Sequence, residues 1–414
     1  MAVHRRGGRQ RSRRWLWGAT LVVAVGALAG SVGLWSAAAA PKQAKASKGT
    51  LTVYTFTDVD TQGPQYKNIA ETARVYGRWA NAHGGVAGYK LNVKFCDAHG
   101  TPTGATACAR KAVADKAVAV IGSFTFTGDA IVPVLQKARI AYFGLCCALS
   151  PTEFHSPVSF PTGNQPLYAV GLVSRAVKDG CKKMVGVIIQ GAEIFEPFMT
   201  NAAKNLGKSI SYVSLPPTAQ DYSPQVAQAT SGGTDCLLMI VSETPYIAWM
   251  GPFSQLGHYV RMYGPQGNLD EKVIAAAPHS VTNGDVISAM FTSLDLPAWK
   301  DYRAALKQYK AATTEYYDTF GGQGTWAAYL EFAQIIGKMK ARVTNKTFLA
   351  AANKAKIHLP GIVPDMDLSK PWGKVGGPDG LYRLFNRSVV FNQVKNGKIV
   401  PLTVKFQDVG NLAK

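Results

Sequence analysis

The sequence predicts an α/β protein made of two doubly wound, Rossmann-like lobes. Apolar runs typical of strands alternate with segments whose apolar residues recur at helical spacing. This alternation occurs in two successive series, and strands that alternate with helices favour parallel sheets covered on both faces. At 414 residues and 47% hydrophobic composition, the chain is large enough to bury a core in each lobe.

The first series begins with the buried strand "TLTVYTF" at residues 50–56. The next segment places Ile69, Ala73, Tyr76 and Trp79 at helical spacing, and "YKLNVKFCD" then alternates at the period of a strand. The series continues with a helix at about 103–115, the strand "AVAVIGSF", a helix at 128–138 and the strand "IAYFG".

The second series alternates four helices with four strands. The helices are predicted at 166–178, 197–206, 223–230 and 246–256, and the strands are "MVGVIIQ", "SISYVSL", "CLLMIVS" and "VRMYGPQ". The C-terminal third contains two long amphipathic helices, "WKDYRAALKQYKAA" and "TWAAYLEFAQIIGKMKARV", and a hairpin that turns at Lys395 to Lys398. We expect these elements to complete the two lobes.

The first forty residues have the pattern of an export signal. A basic stretch at 1–14 with six arginines and no acid precedes an uncharged apolar stretch, and small residues follow at 36–40. Cleavage is expected near Ala39, and 41–49 form a polar linker. The Sec and twin-arginine routes both stay open, as does retention of the segment as a membrane anchor. A lipoprotein anchor is excluded because the first cysteine is Cys96.

The charge pattern argues against a nucleic-acid partner. Loss of the six signal arginines lowers the formal charge from +20 to +14, so the mature chain stays basic. Nucleic-acid binders cluster lysine and arginine on one helix or stripe, whereas the lysines here are scattered singly or in pairs. The pattern favours a basic surface that is simply solvated. The more specific alternative is a surface that attracts an acidic ligand or an envelope polymer.

No enzyme or metal motif stands out. The histidines lie in dissimilar segments without the spacing of an H-E-x-x-H site, and neither G-x-S-x-G nor C-x-x-C occurs. The "GGVAG" stretch lies between a helix and the following strand, which is the wrong side for a phosphate-binding glycine loop. We therefore expect no cofactor, no metal and no catalytic activity.

Four strings, in the right order, resemble one family. "WANAHGGVAGYKLNVKFCD" is similar to the helix, glycine turn and aspartate-terminated strand of the type I solute-binding proteins of ABC importers, the leucine/isoleucine/valine-binding branch. The strings "AVAVIGSFTFTGDAIVPVLQKARIAYFG", "MYGPQG" and "TWAAYLEF" resemble later segments of the same family. The likeness extends over nearly the whole mature chain.

The resemblance implies the type I periplasmic binding protein fold, in which three crossovers join the lobes and a ligand is held between them by hinge closure. The expected N-terminal lobe comprises 50–160 and 294–383, and the expected C-terminal lobe comprises 161–293 and 384–414. It further implies two partners, a small-molecule ligand and a membrane permease, with membrane contact only through that permease or an uncleaved signal anchor.

The ligand is expected at the carboxyl ends of the strands, where open α/β sheets bind their ligands. Loops in these positions supply the candidate ligand-binding residues, which are Gln65, Tyr66, Ser123, Thr125, Cys146, Cys147 and Ala148 from the first lobe and Phe195, Ser242, Glu243 and Gln266 from the second. Each of them could instead cap a helix or pack a loop.

Two positions depart from the family pattern. Gln266 stands where the family carries the glutamate that pairs with a ligand ammonium group, and a neutral amide cannot neutralise a buried cation. Glu243 is the alternative acid if it points inward. Gly324 replaces an aromatic residue, which predicts a larger pocket. An aromatic acid or an amide therefore becomes as good a candidate ligand as an amino acid.

The six cysteines are predicted to form two disulfides and one adjacent pair. Cys96 ends a strand near Cys108 of the next helix, and Cys181 and Cys236 precede strands that should be neighbours. Cys146 and Cys147 remain, either as thiols or as a vicinal disulfide, which would require a strained backbone.

The leading hypothesis is an exported, non-catalytic binding component of an ABC transporter for an amino-acid-like, aromatic or amide metabolite. A receptor ectodomain of the same fold is the alternative, and a thiol redox enzyme at the adjacent cysteines is a third possibility. The sequence places the protein in the cell envelope or outside the cell.

Overall fold

The computed structural model describes residues 46–61, 64–219, 221–256, 258–312 and 317–414. The expected signal peptide and most of the linker lie outside these residues. None of the helices in the described ranges has the length and apolar character needed to cross a membrane. The helices, in chain order, are α1 Lys67–Ala82, α2 Pro102–Ala114, α3 Gly128–Ala138, α4 Pro151–His155, α5 Leu167–Lys178, α6 Glu196–Asn205, α7 Ser223–Thr230, α8 Glu243–Phe253, α9 Glu271–Ala275, α10 His279–Thr282, α11 Lys300–Gln308, α12 Phe320–Lys338 and α13 Asn345–Ala352.

The first sheet has five parallel strands in the order β2-β1-β3-β4-β5. Its central strands are buried along their whole length, which explains their unbroken apolar sequences. The helices α1 and α12 pack on each other, and α12 also packs on β4. The strands are β1 Thr50–Thr57, β2 Lys90–Asp97, β3 Ala119–Ile121, β4 Ala141–Leu145 and β5 Ser159–Pro161.

The second sheet is mixed, with the order β14-β13-β10-β9-β8-β6-β7 and a short strand β15 paired to β13. Strands β6 to β10 run parallel. Strand β13 pairs antiparallel with β10 on one side and forms the predicted hairpin with β14 on the other. Strands β11 and β12 form a separate pair. The strands are β6 Met184–Ile189, β7 Ile210–Leu215, β8 Cys236–Ile240, β9 Arg261–Pro265, β10 Val286–Ala289, β11 Lys356–Ile357, β12 Met366–Asp367, β13 Ser388–Lys395, β14 Lys398–Pro401 and β15 Gln407–Asp408.

The chain passes between the two sheets three times. It leaves the first sheet after β5, returns after β10 to form α11 and α12, and enters the second sheet again at β13. This connectivity confirms the predicted α/β fold of two doubly wound lobes with a three-crossover hinge.

Several observed elements differ from those predicted, and two of these differences have a local cause. The helix at 299–312 is not long, because α11 ends at Gln308 and Lys310 adopts a left-handed backbone with φ 52°. The strand β10 was not predicted, since its four residues "VISA" are too few for a periodicity to show. It nevertheless lies between β9 and β13 in the second sheet.

Candidate functional site

A cleft of about 670 Å³ lies between the two lobes, at the carboxyl ends of strands from both sheets. The second-lobe wall includes the ends of β6, β8, β9 and β10, and the first-lobe wall includes the loops after β1, β3 and β4. Sites for small molecules usually measure about 300–1,000 Å³ and combine apolar walls with few polar groups. The size and position of this cleft suit such a site.

An aromatic cluster forms the first-lobe wall. The ring of Tyr66 packs edge-on against Phe124 at 4.8 Å between centroids, and Phe320 lies 5.9 Å from both rings. Phe126 contacts the same cluster, 5.3 Å from Phe124, and is 51% exposed. Such rings offer a flat apolar surface on which another ring or an alkyl chain can pack.

The second-lobe wall is also largely apolar. Tyr168 and Phe195 pack at 5.3 Å between ring centroids, and Ile189, Ile240 and Met290 continue the surface. No charged side chain occurs among the described residues that line the cleft. A ligand ammonium group would therefore find no opposite charge in the cleft wall, and an unpaired buried cation is costly.

Gln266 lines the cleft with its side-chain amide already engaged. Its Nε2 donates to Oε1 of Gln323 at 2.7 Å and to Oδ1 of Asp318 at 3.2 Å, and its Oε1 accepts the N–H of Phe291. Burial raises the pKa of Asp318 to about 6, although the bond from Gln266 opposes that rise. These contacts join the β9 turn of the second lobe to the start of α12 in the first lobe.

Four of the eleven predicted ligand-binding residues line the cleft: Tyr66, Phe195, Ser242 and Gln266. Ser123 and Thr125 lie beside it and serve the backbone, because Ser123 Oγ accepts the N–H of Phe56 and Thr125 Oγ1 accepts the N–H of Thr127. Their role in ligand binding stays a prediction.

The other five predicted residues also lie outside the lining. Gln65 is exposed and donates to the Thr61 carbonyl, and Glu243 forms an ion pair with Lys272 at 3.0 Å, at the start of α8. Cys146, Cys147 and Ala148 are buried behind the wall. The space beside Gly324 is filled by Cys146 and Phe291, so this glycine does not enlarge the pocket as expected.

Sequence reasoning missed the apolar members of the site. Phe124 and Phe126 alternate with Ser123 and Thr125 in "SFTFT", and the emphasis on polar groups after each strand passed over them. Phe320, Gln165 and Tyr168 were missed because they follow crossovers rather than strands of the two regular series. The alternation in "SFTFT" was the one signal that could have identified the two phenylalanines.

The cysteines lie as their positions predicted. The sulfurs of Cys96 and Cys108 are 1.99 Å apart, and those of Cys181 and Cys236 are 1.93 Å apart, which are disulfide distances. Cys146 and Cys147 are free and buried, and burial raises the pKa of the Cys147 thiol. A thiol with a raised pKa is a poor nucleophile at neutral pH.

One group of possible metal ligands occurs among the described residues, formed by Cys181, Asp235 and Cys236. Both cysteines in this group lie at disulfide distance from each other. Because a metal is bound by the thiolate rather than by a disulfide sulfur, the group lacks two of its three ligands. It therefore gives no ground for a metal site.

Two lobes, three crossovers and a mostly apolar cleft between the lobes define a solute-binding protein. The chain belongs to the periplasmic binding protein family, whose model matches residues 60–384. Its fold is that of the type I members of this family. The family and its structural relatives are binding proteins rather than enzymes. No curated protein matches the sequence.

Solved structures share this fold at low identity. A leucine-binding protein from Thermotoga maritima superposes with a TM-score of 0.64 and 16% identity, covering 86% of this chain and 97% of its own. A solute-binding protein of an ABC transporter from Rhodopseudomonas palustris, in complex with 3,4-dihydroxybenzoic acid, superposes with a TM-score of 0.67 and 16% identity. The match covers 87% of this chain and 98% of that protein. A fatty acid ABC transporter substrate-binding protein from Thermomonospora curvata superposes with a TM-score of 0.67 and 17% identity. The match covers 90% of this chain and 96% of that protein. At these identities the likeness shows the fold alone.

Proposed function

We propose that this chain is the exported substrate-binding component of an ABC importer. It captures a small metabolite between its lobes and delivers it to a membrane permease. The observation that carries the proposal is the cleft, because it is enclosed by both lobes and lined by aromatic and aliphatic side chains. The lobes are proposed to divide at 160/161, 293/294 and 383/384, close to the three crossovers.

Among the ligand classes considered, the cleft favours an aromatic molecule or an amide over an amino acid. The described lining residues carry no charge, which supports this choice because none of them can pair with an α-ammonium group. One structural relative is named for a complex with dihydroxybenzoic acid and another for fatty acid transport, and both of these ligands lack an α-ammonium group.

Native mass spectrometry of freshly purified protein, followed by a thermal-shift screen of amino acids, aromatic acids and amides, tests the proposal. We expect a bound small molecule or a clear rise in Tm, because a ligand at 100 times its Kd adds about 2.7 kcal/mol to stability. No bound mass and no shift with any compound would contradict it. N-terminal sequencing distinguishes a cleaved signal peptide from a retained one, since a mature N-terminus near residue 40 excludes an uncleaved membrane anchor.

A further inference from the structure

The cleft contains a polar group of three side chains, Tyr66, Gln165 and Tyr168. All three line the cavity. Tyr66 begins the first-lobe wall, Gln165 lies in the first crossover, and Tyr168 is in the first turn of α5. Gln165 and Tyr168 are each only 8% exposed, so both are nine-tenths buried while facing the cavity.

These side chains make no hydrogen bond within the part of the chain that the structure describes. The amide of Gln165 and the hydroxyls of Tyr66 and Tyr168 have no protein partner there. Burial raises the pKa of both phenols, so each keeps its proton at neutral pH and can donate it in a hydrogen bond. None of their polar atoms is among the fully enclosed unpaired atoms of the described residues, so each reaches the space of the cleft. The three groups, one on the first-lobe wall and two at the first crossover and the start of α5, are thus available to a ligand that lies between the lobes.

The three groups favour an acceptor atom that carries negative charge. Each phenol and the amide can donate a hydrogen bond, and bonds to a charged acceptor are about twice as strong as neutral ones. Gln165 and Tyr168 flank the start of the twelve-residue helix α5, where the helix dipole is positive. No acidic side chain occurs among the described residues that line the cleft, so none of them repels an anion, and the basic chain attracts anions.

We propose that Tyr66, Gln165 and Tyr168 form a carboxylate subsite. The ligand is then a monocarboxylate with an aromatic or branched apolar body, which packs on Phe124 and Phe320, and without an α-ammonium group. This inference rests on the proposed function, since it assumes that the cleft captures a small molecule.

Matched pairs of compounds test the head group directly. L-Phenylalanine differs from 3-phenylpropanoate only by its α-ammonium group, L-leucine differs likewise from 4-methylpentanoate, and 3-phenylpropanamide removes the charge of the carboxylate. Titration calorimetry on the full mature chain should show that the two acids bind at least about tenfold more tightly than the amino acids and the amide.

Variants that remove a donor test the residues. Tyr168→Phe and Gln165→Leu keep the approximate shape of the side chain but remove its hydrogen-bond donor. Each should weaken the binding of 3-phenylpropanoate about tenfold, so that the difference in affinity between this acid and 3-phenylpropanamide becomes smaller. Tyr382→Phe is the matched control, because Tyr382 lies outside the cleft and should bind the acid as the unmodified protein does. An unchanged Tm without ligand shows that each variant is folded.

The proposal is overturned if L-phenylalanine binds as well as 3-phenylpropanoate, if neither acid binds, or if both donor variants keep the full preference for the acid. Those results leave the proposed function standing when native mass spectrometry still detects another bound small molecule. The proposed function fails only when no small molecule is bound and none of the wider screen stabilises the protein.

Discussion

Gly324 of α12 lies directly against Cys146. A Cβ atom at position 324 would lie 2.8 Å from the Cys146 Cβ and 3.3 Å from the ring of Phe291. The missing side chain therefore allows the loop after β4 to pack on the helix, and it does not add volume to the cleft. The adjacent cysteines belong to this packed layer behind the cleft wall.

Replacing Gly324 by alanine should destabilise the protein by about 1–3 kcal/mol, because the added methyl group has no space in a packed core. The matched control is Gly337, in the same helix, where nothing lies within 4 Å of the position that a methyl group would take. There Gly337→Ala should stabilise by up to about 1 kcal/mol through helix propensity. Urea unfolding measures both, and a stabilising Gly324→Ala would show that the close contact is absent.

Counting reactive thiols should separate the three cysteine pairs. Alkylation of the denatured, unreduced protein is expected to label two cysteines, Cys146 and Cys147, and alkylation after reduction should label all six. In the native state the two thiols should react slowly because both are buried. Mass spectrometry reads the counts, and zero labels before reduction would instead indicate a vicinal disulfide.

Phe126 and Ile194 should contribute to ligand affinity from opposite lobes. They are 51% and 57% exposed, and both line the cleft, so a bound ligand or hinge closure would cover them. Phe126→Ser and Ile194→Ser should each weaken binding about tenfold, since burying such a side chain contributes about 1.5–3 kcal/mol. Their effect on Tm without ligand should be small.

Val375 provides the control for these two variants, because it is equally exposed at 51% but lies outside the cleft. Val375→Ser should bind the ligand identified in the screen with unchanged affinity. Equal losses in all three variants would indicate a general effect on folding rather than contact with the ligand.

Stability should fall as the pH rises from about 4.5 to 8, and Glu331 is a principal cause. Burial raises the pKa of Glu331 from 4.5 to about 8, and the nearby Thr162 offsets only part of that rise. Below 4.5 the carboxyl is protonated in both the folded and the unfolded chain. Above 4.5 the unfolded chain loses this proton first, so each further pH unit favours unfolding until the folded pKa is passed.

Glu331→Gln removes this ionisation and should make stability depend less on pH. As the pH rises from 5 to 8, the free energy of unfolding of the variant should gain about 1 kcal/mol or more relative to that of the unmodified protein. Glu153, whose pKa burial raises to about 7, should preserve part of the slope. Urea unfolding at several pH values measures the difference, and parallel pH curves for the two proteins would show that Glu331 ionises normally.

Much of the fold was predictable because its signals are local. The helices α3 and α7 have the predicted bounds of 128–138 and 223–230, and the hairpin turns where the sequence places it. Helical and strand periodicities each depend on residues within one segment, and a polar or glycine-rich turn marks where that segment ends. The short strand β10 was not predicted because four residues are too few to show a period.

The candidate site was less predictable, since it is assembled from distant parts of the chain. Strand-end positions identified Tyr66 and Gln266, but could not show that the Gln266 amide is occupied by Gln323 and Asp318. They also could not show that Tyr168 faces the cleft with a hydroxyl that no other described residue bonds.

The sequence by itself determined the alternation of strands and helices, the pairs of cysteines at disulfide distance and the family. The tertiary structure decided which side chains surround the cleft and which are consumed in packing. Residues such as Phe124 and Phe320 meet only when the second crossover returns the chain to the first lobe. Contacts of that kind depend on how whole sheets and helices pack, and no local pattern in the sequence encodes them.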